Sequence, residues 1–310
     1  MKRQHLTNHI MMIRPANFGF NPETAESNAF QTKKTDLSTS EIAKIAINEF
    51  DDFVKKLRAE GVQVHVFEDT RTPVKPDCVF PNNWVSFHQN GAIITYPMLS
   101  NLRRLERRDD ILESLTEKFD VSQVVHFQHF ESQNQILEGT GSIVLDRFHK
   151  VAYACLSPRT DEGLFDLFCT KTGYKKMAFT SVDQHGQQIY HTNVMMAMGE
   201  DFVVICLDSI PDKKERKAVV DSFKKAGKKI VEISFEQMNA FAGNMLQILG
   251  ANKQPILVMS TQAFESLSEE QITLLEKYTP LLHSSINTIE KFGGGSARCM
   301  MAEVFLPEKN

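Results

Sequence analysis

The chain has 310 residues, 42% hydrophobic and 24% charged, with a formal net charge of -4. That length can bury a full hydrophobic core, and the slightly acidic balance gives no reason to expect nucleic acid or an acidic membrane as partner. Five scattered cysteines (Cys78, Cys155, Cys169, Cys206 and Cys299) without CxxC spacing argue against a disulfide framework or a zinc ribbon.

No run approaches the roughly 18 apolar residues of a membrane span, and residues 1–7 are polar and lack an apolar signal core. The expectation is a cytoplasmic protein. The polar stretch 21–39 is the loosest segment, and Ser38-Thr39-Ser40 ends it with candidate N-caps. A helix is predicted over 41–60, where Ile42, Ile45, Ala46, Phe50, Phe53, Val54 and Leu57 recur at helical spacing before Gly61. Residues 62–67 alternate as a strand. Residues 84–87 and 92–95 flank Gln89-Asn90-Gly91, a hairpin turn.

A helix over 101–119 and a strand over 121–127 follow. Then come a strand pair at 142–145 and 151–155, a helix over 161–172 and a strand near 177–180. Strands at 194–198 and 202–207, a helix over 213–226 and a strand at 229–233 repeat the order. Strands at 245–249 and 256–259 and a helix over 268–278 close the series. The unit is strand–strand–helix–strand, with a period of roughly 60 residues. About five copies fill the chain, which is read as one catalytic domain over 1–310. A ring of such units would be a small five-bladed α/β propeller. Periodicity alone leaves an ordinary α/β sandwich open.

The segment Phe292-Gly293-Gly294-Gly295-Ser296-Ala297-Arg298-Cys299 carries the strongest chemical signal. Three glycines permit positive φ and a close approach of backbone to a ligand. A cysteine between them and an apolar run can sit at a pocket rim as a nucleophile. His191, in Tyr190-His191-Thr192-Asn193, stands where a polar loop enters an apolar strand, and imidazole is the natural proton shuttle near neutral pH. Glu138, before Gly139-Thr140-Gly141, offers a carboxylate to orient or protonate a reacting group. The loop Pro76-Asp77-Cys78-Val79-Phe80-Pro81-Asn82-Asn83-Trp84 gathers amide side chains and the only tryptophan. His126 and His129 have metal-like spacing but no supporting ligands, and are read as structural.

Taken in order, these segments resemble the guanidino-group modifying enzymes: arginine and agmatine deiminases, dimethylarginine hydrolases and amidinotransferases. The resemblance runs from Arg14 to Phe305 and is nearest to the citrulline-utilisation hydrolase branch, whose opening Ile13-Arg14-Pro15-Ala16-Asn17 resembles. It implies the five-bladed propeller fold, Cys299 as nucleophile, His191 as general acid/base and Glu138 as its carboxylate partner. It also implies that Arg104 and Arg159 hold the substrate carboxylate and that Asp77 binds the amino-acid end. No metal or organic cofactor is implied, and the partner is a small amino-acid substrate.

Two positions depart from the deiminase pattern. Where deiminases carry two aspartates that grip the cationic guanidinium, this chain has Asn83 and Asn193. A buried cation needs an anionic partner, whereas a pair of amides offers both N–H and C=O groups to a neutral ureido group. The expectation is therefore hydrolysis of citrulline to ornithine, ammonia and carbon dioxide through a covalent intermediate on Cys299. Asn83 and Asn193 would support the oxygen, and His191 with Glu138 would manage protons. Alternatives are arginine or methylarginine hydrolysis (deiminase or dihydrolase), amidino transfer, and a non-catalytic propeller that only binds.

Overall fold

All five predicted modules fold as three-stranded sheets with one internal order. The computed structural model describes residues 5–25, 28, 30–32 and 35–309. Met1 to Gln4 of the polar opening, and residues 26–27, 29, 33 and 34 of the loose 21–39 stretch, lie outside the described residues. The strands are β1 (His9–Arg14), β2 (Gln63–Glu68), β3 (Val85–Phe87), β4 (Ala92–Thr95), β5 (Gln123–His126), β6 (Val144–Asp146), β7 (Val151–Cys155) and β8 (Lys175–Phe179). They continue with β9 (Met196–Met198), β10 (Phe202–Ile205), β11 (Lys229–Glu232), β12 (Leu246–Leu249), β13 (Pro255–Ser260), β14 (Leu281–Ser284) and β15 (Ala302–Glu303).

Four sheets are contiguous in sequence: β3-β4-β5, β6-β7-β8, β9-β10-β11 and β12-β13-β14. In each, the first pair is antiparallel and the second parallel. A short turn suffices for the antiparallel pair. The parallel pair needs a crossover, which a helix supplies. The fifth sheet, β15-β1-β2, draws from both ends of the chain, with Ile10 opposite Glu303 and Met11 opposite Ala302. It closes a five-bladed α/β propeller.

The crossover helices follow their sequence signals. Thr39–Ala59 starts at a capping box in which Ser38 accepts from the Glu41 N–H and the Glu41 side chain accepts from the Ser38 N–H. Such a cap contributes about 1 kcal/mol. Glu162–Thr172 is capped by Asp161 and stopped by left-handed Gly173, and Glu269–Glu276 is capped by Ser268. The helix expected over 101–119 is instead two pieces, Asn101–Arg104 and Asp109–Thr116. The break lies where Glu106 turns inward to pair with Arg103. The pattern also gave no sign of β1. Its four central residues are all buried, so it reads as a continuous apolar run rather than an alternating one.

The core is divided among the seams between blades. Met11 and Ile13 pack with Trp84, Phe87 and Ile93. Ile94 and Tyr96 pack with Ala152, Phe165 and Phe168. Among the described residues no helix is long and apolar enough to cross a membrane. All five cysteines are free and buried.

The first strand of each module lies innermost: β15 adjoins β3, β6 adjoins β9, and β9 adjoins β12. Each inner strand is entered through a tight turn. These turns are Pro81–Asn83 before β3, Gly139–Ser142 before β6, Thr192–Met195 before β9, residues 241–244 before β12 and residues 296–300 before β15. Repetition of the module therefore brings five turns, far apart in sequence, to one end of the ring.

Candidate active site

Each turn delivers polar side chains to the axis. Glu138 precedes the turn of β6, and its Oε2 accepts from His191 Nε2 at 2.8 Å across the seam to β9. Its other oxygen accepts from the Leu99 N–H at 3.0 Å. Burial opposes ionisation of Glu138. The Arg159 guanidinium, then the His191 hydrogen bond and Arg103, outweigh it and hold the carboxyl well below its ordinary range. Burial pushes His191 down to about 4, so it is neutral at pH 7. A neutral imidazole facing a carboxylate through Nε2 carries its proton on Nε2, which leaves Nδ1 as the basic atom.

Gly139 and Gly141 have separate reasons to be glycine. Gly139 has φ +49°, and a Cβ there would lie 2.4 Å from the Asn82 carbonyl oxygen. A Cβ on Gly141 would lie 2.3 Å from Asn83 Nδ2 and 2.8 Å from His191 Nδ1. The amide of Asn83 and the basic face of His191 thus converge where Gly141 leaves room. Gly139→Ala is expected to destabilise the fold by more than about 2 kcal/mol, from left-handed backbone strain plus a clash with unyielding backbone. Urea denaturation would check it, and a loss under 0.5 kcal/mol would refute it.

Cys299 lies in the turn before β15, where its N–H donates to the Ser296 carbonyl at 2.9 Å. Ser296 Oγ donates to Glu290 Oε1 at 2.5 Å and so anchors the turn to the preceding helix, Asn287–Gly293. The glycine run ends that helix, with Gly294 as its left-handed cap at φ +64°. The expected close backbone approach is real, but it is to protein. Cβ atoms at Gly293 and Gly294 would lie 2.7 Å from Phe80 and 2.5 Å from Asn28. Around Cys299 Sγ stand Asn193 Nδ2 at 3.5 Å and Asn244 Nδ2 at 3.3 Å. Burial pushes the Cys155 thiol up to about 12 and those of Cys169 and Cys206 up to about 11, and it raises Cys78 as well.

A buried charge network backs these groups. Arg103 is 3% exposed and donates to Glu106 through Nε and Nη2, both at 2.9 Å. It also donates to Asn83 Oδ1 at 2.6 Å. Asp77 lies 4.0 Å from Arg103 and accepts from Asn21 Nδ2 at 2.8 Å, while its Oδ1 has no hydrogen-bond partner among the described residues. Burial raises the Asp77 carboxyl, against the pull of Arg103. Arg159 lies 3.5 Å from Glu138 and over the Tyr190 ring. Cys299, His191 and Glu138 are only 4, 2 and 0% exposed. Surface cavities of about 590 Å³ beside Arg147, Lys150 and Tyr174, about 590 Å³ beside His9, Leu249 and Phe305, and about 580 Å³ beside Phe30, Phe241 and Glu290 are not lined by these three residues.

Of the residues singled out in the sequence, Cys299, His191, Glu138, Asn83, Asn193, Asp77 and Arg159 come together. Arg104 does not: it is partly exposed, donates to the Met98 carbonyl at 2.9 Å and lies 3.3 Å from Glu131. Its neighbour Arg103 occupies the buried position instead, because one helical step turns a side chain by about 100°. His126 and His129 meet Thr95 and the His126 carbonyl. Among the described residues no group of three or more His, Cys, Asp or Glu is placed to hold a metal ion. Sequence reasoning missed Arg103, Asn244 and Tyr190, whose hydroxyl donates to the Gly294 carbonyl at 2.6 Å and ties the histidine turn to the cysteine turn. The one available signal was recurrence: a polar residue before every inner strand.

A family described as N,N dimethylarginine dimethylhydrolase, eukaryotic, matches residues 14–306. No curated protein matches the chain. Among solved structures, it is similar to ArgZ, an arginine dihydrolase from the ornithine-ammonia cycle in cyanobacteria, with TM-score 0.74 and 16% identity over 96% of this chain and 41% of that one. The N-terminal domain of ArgZ bound to product gives TM-score 0.73 and 16% identity over 96% of this chain and 98% of that one. A dimethylarginine dimethylaminohydrolase adduct with S-methyl-L-thiocitrulline gives TM-score 0.62 and 14% identity over 96% and 99%. The chain thus spans about two fifths of full-length ArgZ and nearly all of its N-terminal domain. At these identities the likeness is one of fold.

Proposed function

The chain belongs to the N,N dimethylarginine dimethylhydrolase family, and from that premise we propose that it hydrolyses the terminal C–N bond of a ureido amino acid, citrulline being the substrate it fits best. Membership makes it a C–N hydrolase of the guanidino-group modifying enzymes. The choice of a neutral ureido group rests on one observation: amides, not carboxylates, face the sulfur. Asn193 and Asn244 flank Cys299 Sγ. Behind Asn83 sits the Arg103 guanidinium, 2.6 Å from its Oδ1. Arg103 polarises the Asn83 amide and strengthens its N–H groups as donors to an oxygen.

The reaction then runs on this chain's own groups. His191 Nδ1 takes the proton of Cys299, and the sulfur adds to the ureido carbon. One Asn83 N–H is given to Asn82 Oδ1 at 3.0 Å, and the other steadies the oxygen as it gains charge. Protonated His191 returns its proton to the leaving amide nitrogen, the C–N bond breaks, and ammonia departs. Glu138 steadies the imidazolium meanwhile. Water, deprotonated by His191, attacks the thiocarbamate carbon and expels the sulfur. The carbamic acid released falls apart to ornithine and carbon dioxide. Asn193 Oδ1, buried and without a hydrogen-bond partner among the described residues, can accept an N–H of the ureido group.

A second reading has its own observation. Asp77 Oδ1 is a buried carboxylate oxygen without a hydrogen-bond partner among the described residues, and it could neutralise the guanidinium of arginine or a methylated arginine. Incubation with citrulline, arginine and Nω,Nω-dimethylarginine separately, with assay of ornithine, citrulline and ammonia, separates the two. Ornithine from citrulline, formed at least about 10-fold faster than any product of the two guanidino substrates, is the expected result. Turnover of arginine or dimethylarginine with citrulline inert would transfer the role of cation partner to Asp77 and overturn the ureido reading.

A further inference from the structure

We propose that Asn244 is a catalytic residue, whose side-chain amide is oriented to donate a hydrogen bond to the sulfur of Cys299 as that sulfur becomes anionic. This rests on the reading of Cys299 as nucleophile. Asn244 ends the turn before β12, the one inner-strand turn from which no site residue was expected. It is 1% exposed.

Its amide cannot be turned round. Nδ2 donates to the Asn193 carbonyl at 2.8 Å, and Oδ1 accepts from the Arg298 N–H at 3.0 Å. A carbonyl oxygen needs a donor and a backbone N–H needs an acceptor, so the flipped amide would lose both bonds. The second N–H of Nδ2 then faces Sγ at 3.3 Å, while Oδ1 stands 3.6 Å from the same sulfur. The neutral thiol can donate a hydrogen bond to Oδ1 until His191 takes its proton. The thiolate keeps only the contact from Nδ2, and Asn193 Nδ2 adds a second donor at 3.5 Å. Hydrogen bonds to the charged form favour that form, so the pair serves both the attacking sulfur and the sulfur expelled at the end.

The turn that holds Asn244 is built under constraint. Phe241 is left-handed at φ +63°, which a non-glycine residue adopts at a cost of roughly 1 kcal/mol or more. Its carbonyl accepts from the Asn244 N–H at 2.8 Å. A Cβ on Gly243 would lie 2.2 Å from the Val194 carbonyl oxygen. The β12 turn is thus pressed against the β9 turn, so that Asn244 reaches both Asn193 and Cys299. Strain concentrated beside a reactive group points to a functional demand on that geometry.

The test compares wild type, Asn244→Ala and Asn244→Asp for iodoacetamide alkylation of Cys299 from pH 6 to 9, followed by peptide mass, with steady-state kinetics in parallel. At pH 7, alkylation of Cys299 is expected to fall about 10-fold in Asn244→Ala, and further in Asn244→Asp, where a carboxylate faces the sulfur. The deficit should close as pH rises, and kcat should fall while KM stays within about 2-fold. If the alanine variant fails to fold, the near-isosteric aspartate, which keeps the acceptor for Arg298, decides the matter. Alkylation equal to wild type at every pH in a folded variant would make Asn244 a brace only and overturn the proposal. Cys299 labelled no faster than the other four cysteines in wild type would instead overturn the nucleophile assignment beneath it.

Discussion

Cys299→Ala is expected to abolish turnover of whichever substrate the wild type accepts, by at least about 10⁴-fold, because no other group can form the covalent intermediate. The neighbouring nucleophiles cannot stand in. Ser296 Oγ is bonded to Glu290, and the Thr192 hydroxyl donates to the Ser142 carbonyl. The fold should tolerate the change. The lost sulfur gives up two N–H contacts of 3.3 and 3.5 Å, and Asn244 keeps its two backbone partners, so a cost of about 1–2 kcal/mol is expected. Steady-state assay together with a thermal melt checks both halves. Residual activity above about 1% with the melt unchanged would show that the sulfur does not form the intermediate.

Glu138→Gln should strike stability and activity together. Glu138 is the anion against which Arg159 and His191 are set, at 3.5 and 2.8 Å, with Arg103 at 4.0 Å. Arg103 keeps Glu106, but removal of one partner from a buried ion pair costs about 3–5 kcal/mol. The effect depends on pH with a definite sign. The Glu138 carboxyl is held below its ordinary value near 4.5 in the folded protein, so its stabilisation is fully present above that pH and is lost as the solution is acidified further. The gap between wild type and Glu138→Gln in urea denaturation should therefore be widest near pH 7 and should narrow in acid. His191 lowers stability in acid in wild type and variant alike, so it leaves the gap unchanged between about pH 4 and 6.5. It ordinarily titrates near 6.5 and is pushed down to about 4 by burial, so the unfolded chain takes up a proton between those values that the folded one refuses. A gap that widened on acidification would contradict this account.

The sequence carried the module because the modules obey local rules. The Ser38–Glu41 cap, the Gln89-Asn90-Gly91 turn and the alternation of residues 62–67 each need only a few adjacent residues. It carried Cys299, His191 and Glu138 because each sits beside glycines or at a polar-to-apolar boundary. Asn244 gave no such mark. In Asn239-Ala240-Phe241-Ala242-Gly243-Asn244 it reads as an ordinary turn residue, and its meaning comes from Cys299, 55 positions away. Arg103 and Arg104 differ by one position, and only the rotation of a four-residue helix chooses between them. The helix break at Glu106 was hidden because its cause, a buried ion pair, is tertiary. Long-range closure is invisible to periodicity, and it makes β15 a strand on the strength of two residues, Ala302 and Glu303.

That closure has a consequence for a chain still being made. The turns emerge from a ribosome in the order of the blades, so Asn83, Glu138 and His191 all appear before Cys299. The strand after Cys299 must then find β1, which has waited through four blades for its antiparallel neighbour. Pairing across nearly 300 residues is slow compared with the local hairpins, and it is the step that sets the sulfur among the amides. Under the proposed roles a half-made chain is inert. On that reading it holds a proton shuttle with nothing to activate, and reactivity is expected only when the two ends of the ring meet.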